Sequence, residues 1–304
     1  MKILITGTTG FLGSNIAERL LSLGHELFAT CRSTSDFKKV LKFKKKVTWI
    51  NTDIKGWEQI IKTNNIDQLI HVAWAGIGAN DRNDWDLQIK NFYLSKEFFD
   101  LAKECNFKKV IAFGSQAEYG SYDLPTNELT IPKPNDAYGA VKVLACDYLR
   151  NLFNETDVEW YWVRVYSVFG RAENPEWLIP SVIFKLLKKE PILLTNCEQE
   201  YNYLHIDDFL DYFLYVVNNS KNNSGIYNLC NKYPVSLKDL LCKIAKLLDR
   251  SEEYLRFGRV PYRDKQSMFI SGDNSKFIDC FSVKEKSENM LDIALMKTIN
   301  NYKK

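Results

Sequence analysis

Tyr138 and Lys142 are the residues whose types and spacing first suggest chemistry. Four positions apart, they lie on one face of a helix, one turn from each other, if the segment is helical. A free tyrosine titrates near ~10 and is a poor proton donor or base at neutral pH, but an adjacent ammonium favours the phenolate and lowers that value. Such a pair can give or take a proton at a carbonyl or alcohol oxygen. Ser115 follows the short apolar run Val110–Phe113, and its hydroxyl could hydrogen-bond the same oxygen. The spacing Y-x-x-x-K also suits an ordinary surface pair, so the surrounding elements have to decide.

An apolar strand, Lys2–Thr6, leads directly into TGTTGFLG and an amphipathic helix expected over Asn15–Leu23. Gly7, Gly10 and Gly13 allow a tight turn, close approach to a pyrophosphate and close helix–strand packing, and the helix start beside Phe11 and Leu12 then faces the phosphates. The second strand, Glu26–Thr30, is followed by Cys31, Arg32 and Ser33 in place of the acidic residue that usually holds a ribose 2′-hydroxyl. No carboxylate of that kind repels a 2′-phosphate, and Arg32 and Ser33 could bind one, so NADP(H) is expected in preference to NAD(H). A solvated Arg32 is the alternative. Asp53, after a third strand Val47–Ile50, is placed to accept from an adenine amine; Ile54 beside it and Ala73, after a fourth strand Gln68–Val72, join the cofactor set.

A long helix over about Trp85–Cys105, a fifth strand Val110–Phe113 and a sixth Glu159–Val165 continue the alternation. This pattern predicts an α/β fold with a parallel, doubly wound sheet, whose ligands bind beyond the carboxyl ends of the strands. After residue 165 the alternation loosens. Residues 166–304 are expected to form mainly a smaller C-terminal α/β substrate lobe, with segments near 204–230 and 266–280 returning to the dinucleotide domain of residues 1–165. A cleft between the two is the expected ligand site.

Composition narrows the classes. With 304 residues, 45% hydrophobic and 26% charged, the chain reads as soluble and globular. A net charge of +3 gives no argument for nucleic acid, and the six lysines within 38–46 read as a solvated face. The seven cysteines lack C-x-x-C spacing and the three histidines lack metal-ligand spacing, which points to reduced thiols and no metal centre. No apolar run approaches the ~20 residues of a membrane span, and the chain starts on a strand, so a cytoplasmic protein is expected. His205, on an apolar stretch, reads as a core histidine. The helix after Tyr138 is apolar almost all round, which suggests a homodimer through the helices near 85–105 and 138–153, with intrachain core as an equal competitor.

Taken together, TGTTGFLG, Asp53, His71-Val72-Ala73, Asn91, GSQAEYG, the Tyr138/Lys142 pair, VRVYSVFG at 163–170, LHIDDF at 204–209 and VPYRDKQ…DNSK at 260–276 resemble the extended short-chain dehydrogenase/reductase family, in its nucleotide-sugar branch. The resemblance implies a Rossmann fold with Tyr138 as acid/base on the sugar oxygen, Lys142 on the nicotinamide ribose and Ser115 positioning the same oxygen. It also implies a substrate set of Ser115, Gln116, Tyr138, Ser167 and Arg263, with the nucleotide pyrophosphate near Arg263 and residues 167–180. Family members that eliminate water carry an Asp-Glu pair where Gln116 and Ala117 stand, and those that epimerise adjacent carbons carry a cysteine at Ala117. Neither chemistry is expected here. What is expected is an NADPH-dependent 4-keto reductase of a nucleotide-linked 4-keto-6-deoxy sugar, with an NAD-dependent 4-epimerase as the alternative and a non-catalytic dinucleotide sensor as the remote one. Two positions depart from the family pattern: Ser167 replaces an asparagine and Tyr201 an arginine.

Overall fold

A computed structural model describes all residues except 79, 220–222, 264–265, 285–289 and 304. In chain order its elements are β1 Lys2–Thr6, α1 Phe11–Ser22, β2 Glu26–Cys31, β3 Val47–Asn51, α2 Glu58–Thr63, β4 Gln68–His71, α3 Trp85–Glu104, β5 Lys109–Ser115, α4 Ala137–Phe153, β6 Glu159–Val165, β7 Ser167–Phe169, α5 Leu178–Leu187, β8 Ile192–Leu193, β9 Glu200–His205, α6 Ile206–Asn218, β10 Gly225–Leu229, β11 Pro234–Ser236, α7 Leu237–Leu247, β12 Leu255–Arg256, β13 Phe269–Ile270, α8 Ser275–Phe281 and α9 Met290–Tyr302. The sequence placed the first six strands to within two residues. It missed that α1 begins at Phe11, directly after the glycine turn, and that β5 extends to Ser115.

The chain divides into two compact units. The first comprises Met1–Gly120, Thr130–Val165 and Leu210–Tyr227. Its seven-stranded sheet has the order β10-β6-β5-β4-β1-β2-β3, and the pairings along β6-β5-β4-β1-β2-β3 are parallel. This is the doubly wound order expected: strand order reverses about β1, and the strands' carboxyl ends carry the loops on which ligands bind. The apolar strand interiors and one face each of α3 and α4 close a core of Leu4, Phe28, Leu69, Phe98, Phe99, Val110, Leu149 and Trp162. Lys109 is buried at the start of β5, where its ammonium donates to the carbonyls of Val216, Val217 and Asn219 and pairs with Glu159 at 3.3 Å. A cation is favoured at such a helix end because the last carbonyls of α6 lack partners within the helix.

The second unit comprises Ser121–Leu129, Tyr166–Phe209 and Asn228–Lys304. Residues 266–280, expected to rejoin the dinucleotide domain, group here instead, because β13 pairs with β9 and Gly272 bridges to Thr126. Strands β7, β9, β11 and β13 form its small sheet, and α5, α7 and α9 enclose an apolar core of Phe169, Val182, Leu186, Leu240, Ile244, Leu295 and Ile299. His205 is buried against Phe169. Among the described residues no helix is long and apolar enough to cross a membrane.

Candidate active site

The glycine turn after β1 fits a bound dinucleotide. Gly7 adopts φ +71°, and a Cβ there would stand 2.7 Å from the Ala73 amide nitrogen; a Cβ on Gly13 would collide with the Gly7 carbonyl. Only hydrogen side chains leave this cradle open at the head of α1, whose first turn carries no acidic residue to oppose a phosphate. Ala73 therefore lies at the cradle wall.

A chain of hydrogen bonds ties that wall to α3. The Thr6 hydroxyl accepts from the amides of Val72 and Ala73, so its proton goes to His71 Nδ1 at 3.0 Å. His71 Nε2 then donates to Ser95 Oγ at 3.0 Å, and Ser95 donates to the Asn91 carbonyl. The Asn91 side-chain amide closes the sequence by pairing with both backbone groups of Ala75. His71 is neutral in this arrangement, and burial pushes its pKa down to about 3.

Three residues of the sequence reading come together beyond β5. Ser115 ends that strand, and the Asp136 carboxylate caps α4 by accepting from Gly139 N at 2.8 Å, which starts the helix so that Tyr138 and Lys142 face the same way. The Tyr138 side chain hydrogen-bonds Ser115. Arg82 packs its guanidinium 4.5 Å from the centre of the Tyr138 ring while pairing with Asp136 at 2.6 Å, and the Arg82 carbonyl accepts from Tyr138 N.

The expected direct tuning of Tyr138 by Lys142 is not what the geometry gives. The Lys142 ammonium lies 5.8 Å from the Tyr138 ring centre, donates to the Phe113 carbonyl at 2.5 Å and rests 3.5 Å over the face of Trp74. Burial raises the Tyr138 pKa, opposed by the Ser115 hydrogen bond and the Arg82 charge. Burial likewise lowers that of Lys142, to about 7, against the attraction of Glu118. The spacing rule placed both side chains on one face. It was blind to the desolvation that the closed core imposes on each.

Glu118 and Trp74 are the contributors that sequence reasoning passed over. Glu118 has no exposed surface, and its carboxylate accepts from Ser115 N at 2.8 Å, from Trp162 Nε1 at 2.9 Å and from Arg164 Nε at 2.7 Å. With the Ser115 hydroxyl accepting from Ala117 N, this forms a capping box that fixes the serine from behind. The signal was legible in S-x-x-E at 115–118, read earlier only as part of a motif. Gln116 is half-buried and Ala117 buried, one an amide and the other a methyl.

The residues expected at the adenosine end look different. Arg32, Ser33, Asp53 and Ile54 are all exposed. Asp53 accepts from Ser33 N at 2.7 Å, and Asn51 donates to Ser33 Oγ at 3.1 Å. Asp53, expected to face an adenine amine, thus holds the loop after β2, and its hydrogen bonds from Ser33 lower its pKa. The six lysines of 38–46 are exposed, as read. In the second unit Ser167 is half-buried at the start of β7 and Arg263 is exposed. Asp264 and Lys265 of the VPYRDKQ motif lie outside the described residues. Tyr201, standing for the family's arginine, donates its hydroxyl proton to the Ser267 carbonyl at 2.7 Å and accepts from Gln266 at 2.6 Å.

Known proteins are similar to this chain over most of its length. The chain is 25% identical to CDP-abequose synthase of Salmonella muenchen over 282 residues, covering 91% of this chain and 90% of that one. It is 24% identical to dTDP-4-dehydro-6-deoxyglucose reductase of Escherichia coli over 252 residues, 79% of each chain. Its fold matches that of UDP-N-acetylglucosamine 4-epimerase from Methanobrevibacter ruminantium M1 with a TM-score of 0.88 at 21% identity, covering 99% of this chain and 97% of the other. The model of the NAD dependent epimerase/dehydratase family matches residues 3–230. The chain belongs to that family, in the nucleotide-sugar branch of the extended short-chain dehydrogenases/reductases.

Proposed function

We propose that the protein reduces the C4 ketone of a nucleotide-linked 4-keto-6-deoxy sugar, with NADP(H) preferred as cofactor. The observation that carries this reading is Ser115 and Tyr138 bonded to each other, with an amide and a methyl, Gln116 and Ala117, directly after the serine. When bound, the nicotinamide supplies or takes a hydride at the same carbon. Tyr138 gives its proton to the ketone oxygen as charge develops there, and Ser115 donates a hydrogen bond that orients that oxygen. Arg82 over the Tyr138 ring and the Ser115 hydroxyl stabilise the tyrosinate left behind, and Lys142 would supply positive charge for the nicotinamide ribose. Eliminating water would need a second acid/base couple, which an amide and a methyl cannot provide.

Arg32 and Ser33 are proposed to bind the 2′-phosphate, and Ser167 and Arg263 the nucleotide of the substrate. We assign the protein to the cytoplasm, in the making of deoxysugars for surface polysaccharide, and to a homodimer through α3 and α4, which leave Trp85, Tyr93 and Leu144 exposed. A 4-epimerase with retained NAD is the second reading. Asp53 favours it, since its carboxylate sits on the amide of the loop where a 2′-phosphate would bind.

The test is a coupled assay in which a 4,6-dehydratase supplies 4-keto-6-deoxy sugars on CDP, dTDP, GDP and UDP. Stoichiometric loss of NADPH absorbance with one nucleotide series is expected. No net consumption, together with NAD that stays bound through dialysis, would replace the reductase by the epimerase.

A further inference from the structure

Lys142 is 3% exposed, so its ammonium has left almost all of its water. One of its protons goes to the Phe113 carbonyl. Charged and titratable groups around it come from the neighbouring elements: the charged Glu118 and Arg164 from beneath Ser115 and Arg82 and Asp136 beside Tyr138, with the neutral His71 at the end of β4 and Tyr138 itself. Two of these partly cancel, because Glu118 is already engaged by Arg164. The remaining close partner is Trp74, whose ring centre is 3.5 Å from Nζ, closer than any other aromatic face.

Trp74 is itself held. Its indole N–H donates to Gln88 Oε1 at 2.8 Å, and Gln88, fully buried, donates to the carbonyls of Gly76 and Asp81. Asn91 fixes Ala75 from the other side. The Trp74 ring also meets the Tyr138 ring edge-on at 6.0 Å. An indole is the strongest of the aromatic faces for a cation, and desolvation strengthens the attraction.

From this geometry we infer that Trp74 is a positioning residue of the active site: its indole face replaces the water stripped from Lys142 and keeps the ammonium charged beside Tyr138. The inference rests on the proposed reductase chemistry for its kinetic consequence but not for its physical one. An aliphatic side chain there removes the cation's partner, whereas Phe keeps a weaker face.

The experiment compares wild type with Trp74→Leu and Trp74→Phe in two readouts. The first is the pH profile of kcat for NADPH oxidation with the 4-keto sugar. Activity that needs the Lys142 ammonium falls as pH rises, so W74L should move that alkaline limb about one unit lower, a tenfold shift in the protonation equilibrium, and W74F should restore most of it. Identical limbs in all three would overturn the inference. The second needs no turnover: the pH titration of tryptophan emission, taken as wild type minus W74F. A step near neutral pH that disappears when Lys142→Met is added to both proteins is expected; no step, or one that survives that change, overturns the inference. If wild type oxidises no NADPH, the reductase reading fails while the emission titration still decides the role of Trp74.

Discussion

The two ends of the dinucleotide unit solve the same problem, holding charged side chains in place, by opposite means. Around Tyr138, the residues Lys142, Glu118 and Arg164 are almost completely buried, and each charge is set by a partner within a few ångströms. Around the loop after β2, Arg32, Ser33 and Asp53 are exposed and are arranged by the backbone of that loop. Burial amplifies electrostatics and makes every lost partner expensive, whereas exposed groups act in a screened medium where a substitution changes affinity and little else. The proposed chemistry thus falls in the dry region, and the proposed cofactor choice in the wet one.

Substitutions can break that contrast or sharpen it. The largest effect is expected for Tyr138→Phe, which should lower kcat by roughly 10²–10⁴ while the thermal unfolding midpoint stays near that of wild type. Turnover close to wild type would mean the proton comes from elsewhere. Glu118→Gln leaves Arg164 buried without its counter-charge, and urea unfolding should show a loss of about 3–5 kcal/mol; the double variant with Arg164→Met should recover much of it. If E118Q were as mild as a surface change, the distinction between the two ends would collapse.

Acid should act on the buried region as well. The pKa of His71 is depressed from 6.5 to about 3, so between these values the unfolded chain binds the extra proton. The stability from neutral His71 is present above pH 6.5 and is lost as pH falls toward 3, by roughly 1.4 kcal/mol per unit. Urea midpoints at pH 7 and pH 4.5 should converge partly in His71→Asn; an unchanged slope would show that His71 does not carry it. The smallest effect belongs to the exposed end. Arg32→Ala should raise the KM for NADPH about tenfold, with that for NADH little altered and stability unchanged. Equal effects on both cofactors would remove Arg32 from the 2′-phosphate assignment.

The sequence was informative wherever a local rule operates. Glycine spacing after an apolar strand, strand–helix alternation and a tyrosine four residues before a lysine are short-range patterns, and they placed the first six strands, the cradle and the Ser115, Tyr138 and Lys142 grouping. Three things were decided only by the fold. The grouping of residues 266–280 depends on β13 pairing with β9, some seventy residues earlier in the chain. The roles of Trp74 and Glu118 depend on β4, β5 and β6 lying side by side, which brings Trp162 and Arg164 beneath Ser115. The protonation of Lys142 and Tyr138 depends on how much water the packed core removes, and desolvation is a property of all the neighbours at once. Spacing along a helix determines which side chains share a face; only the closed structure determines what each of them must give up to be there.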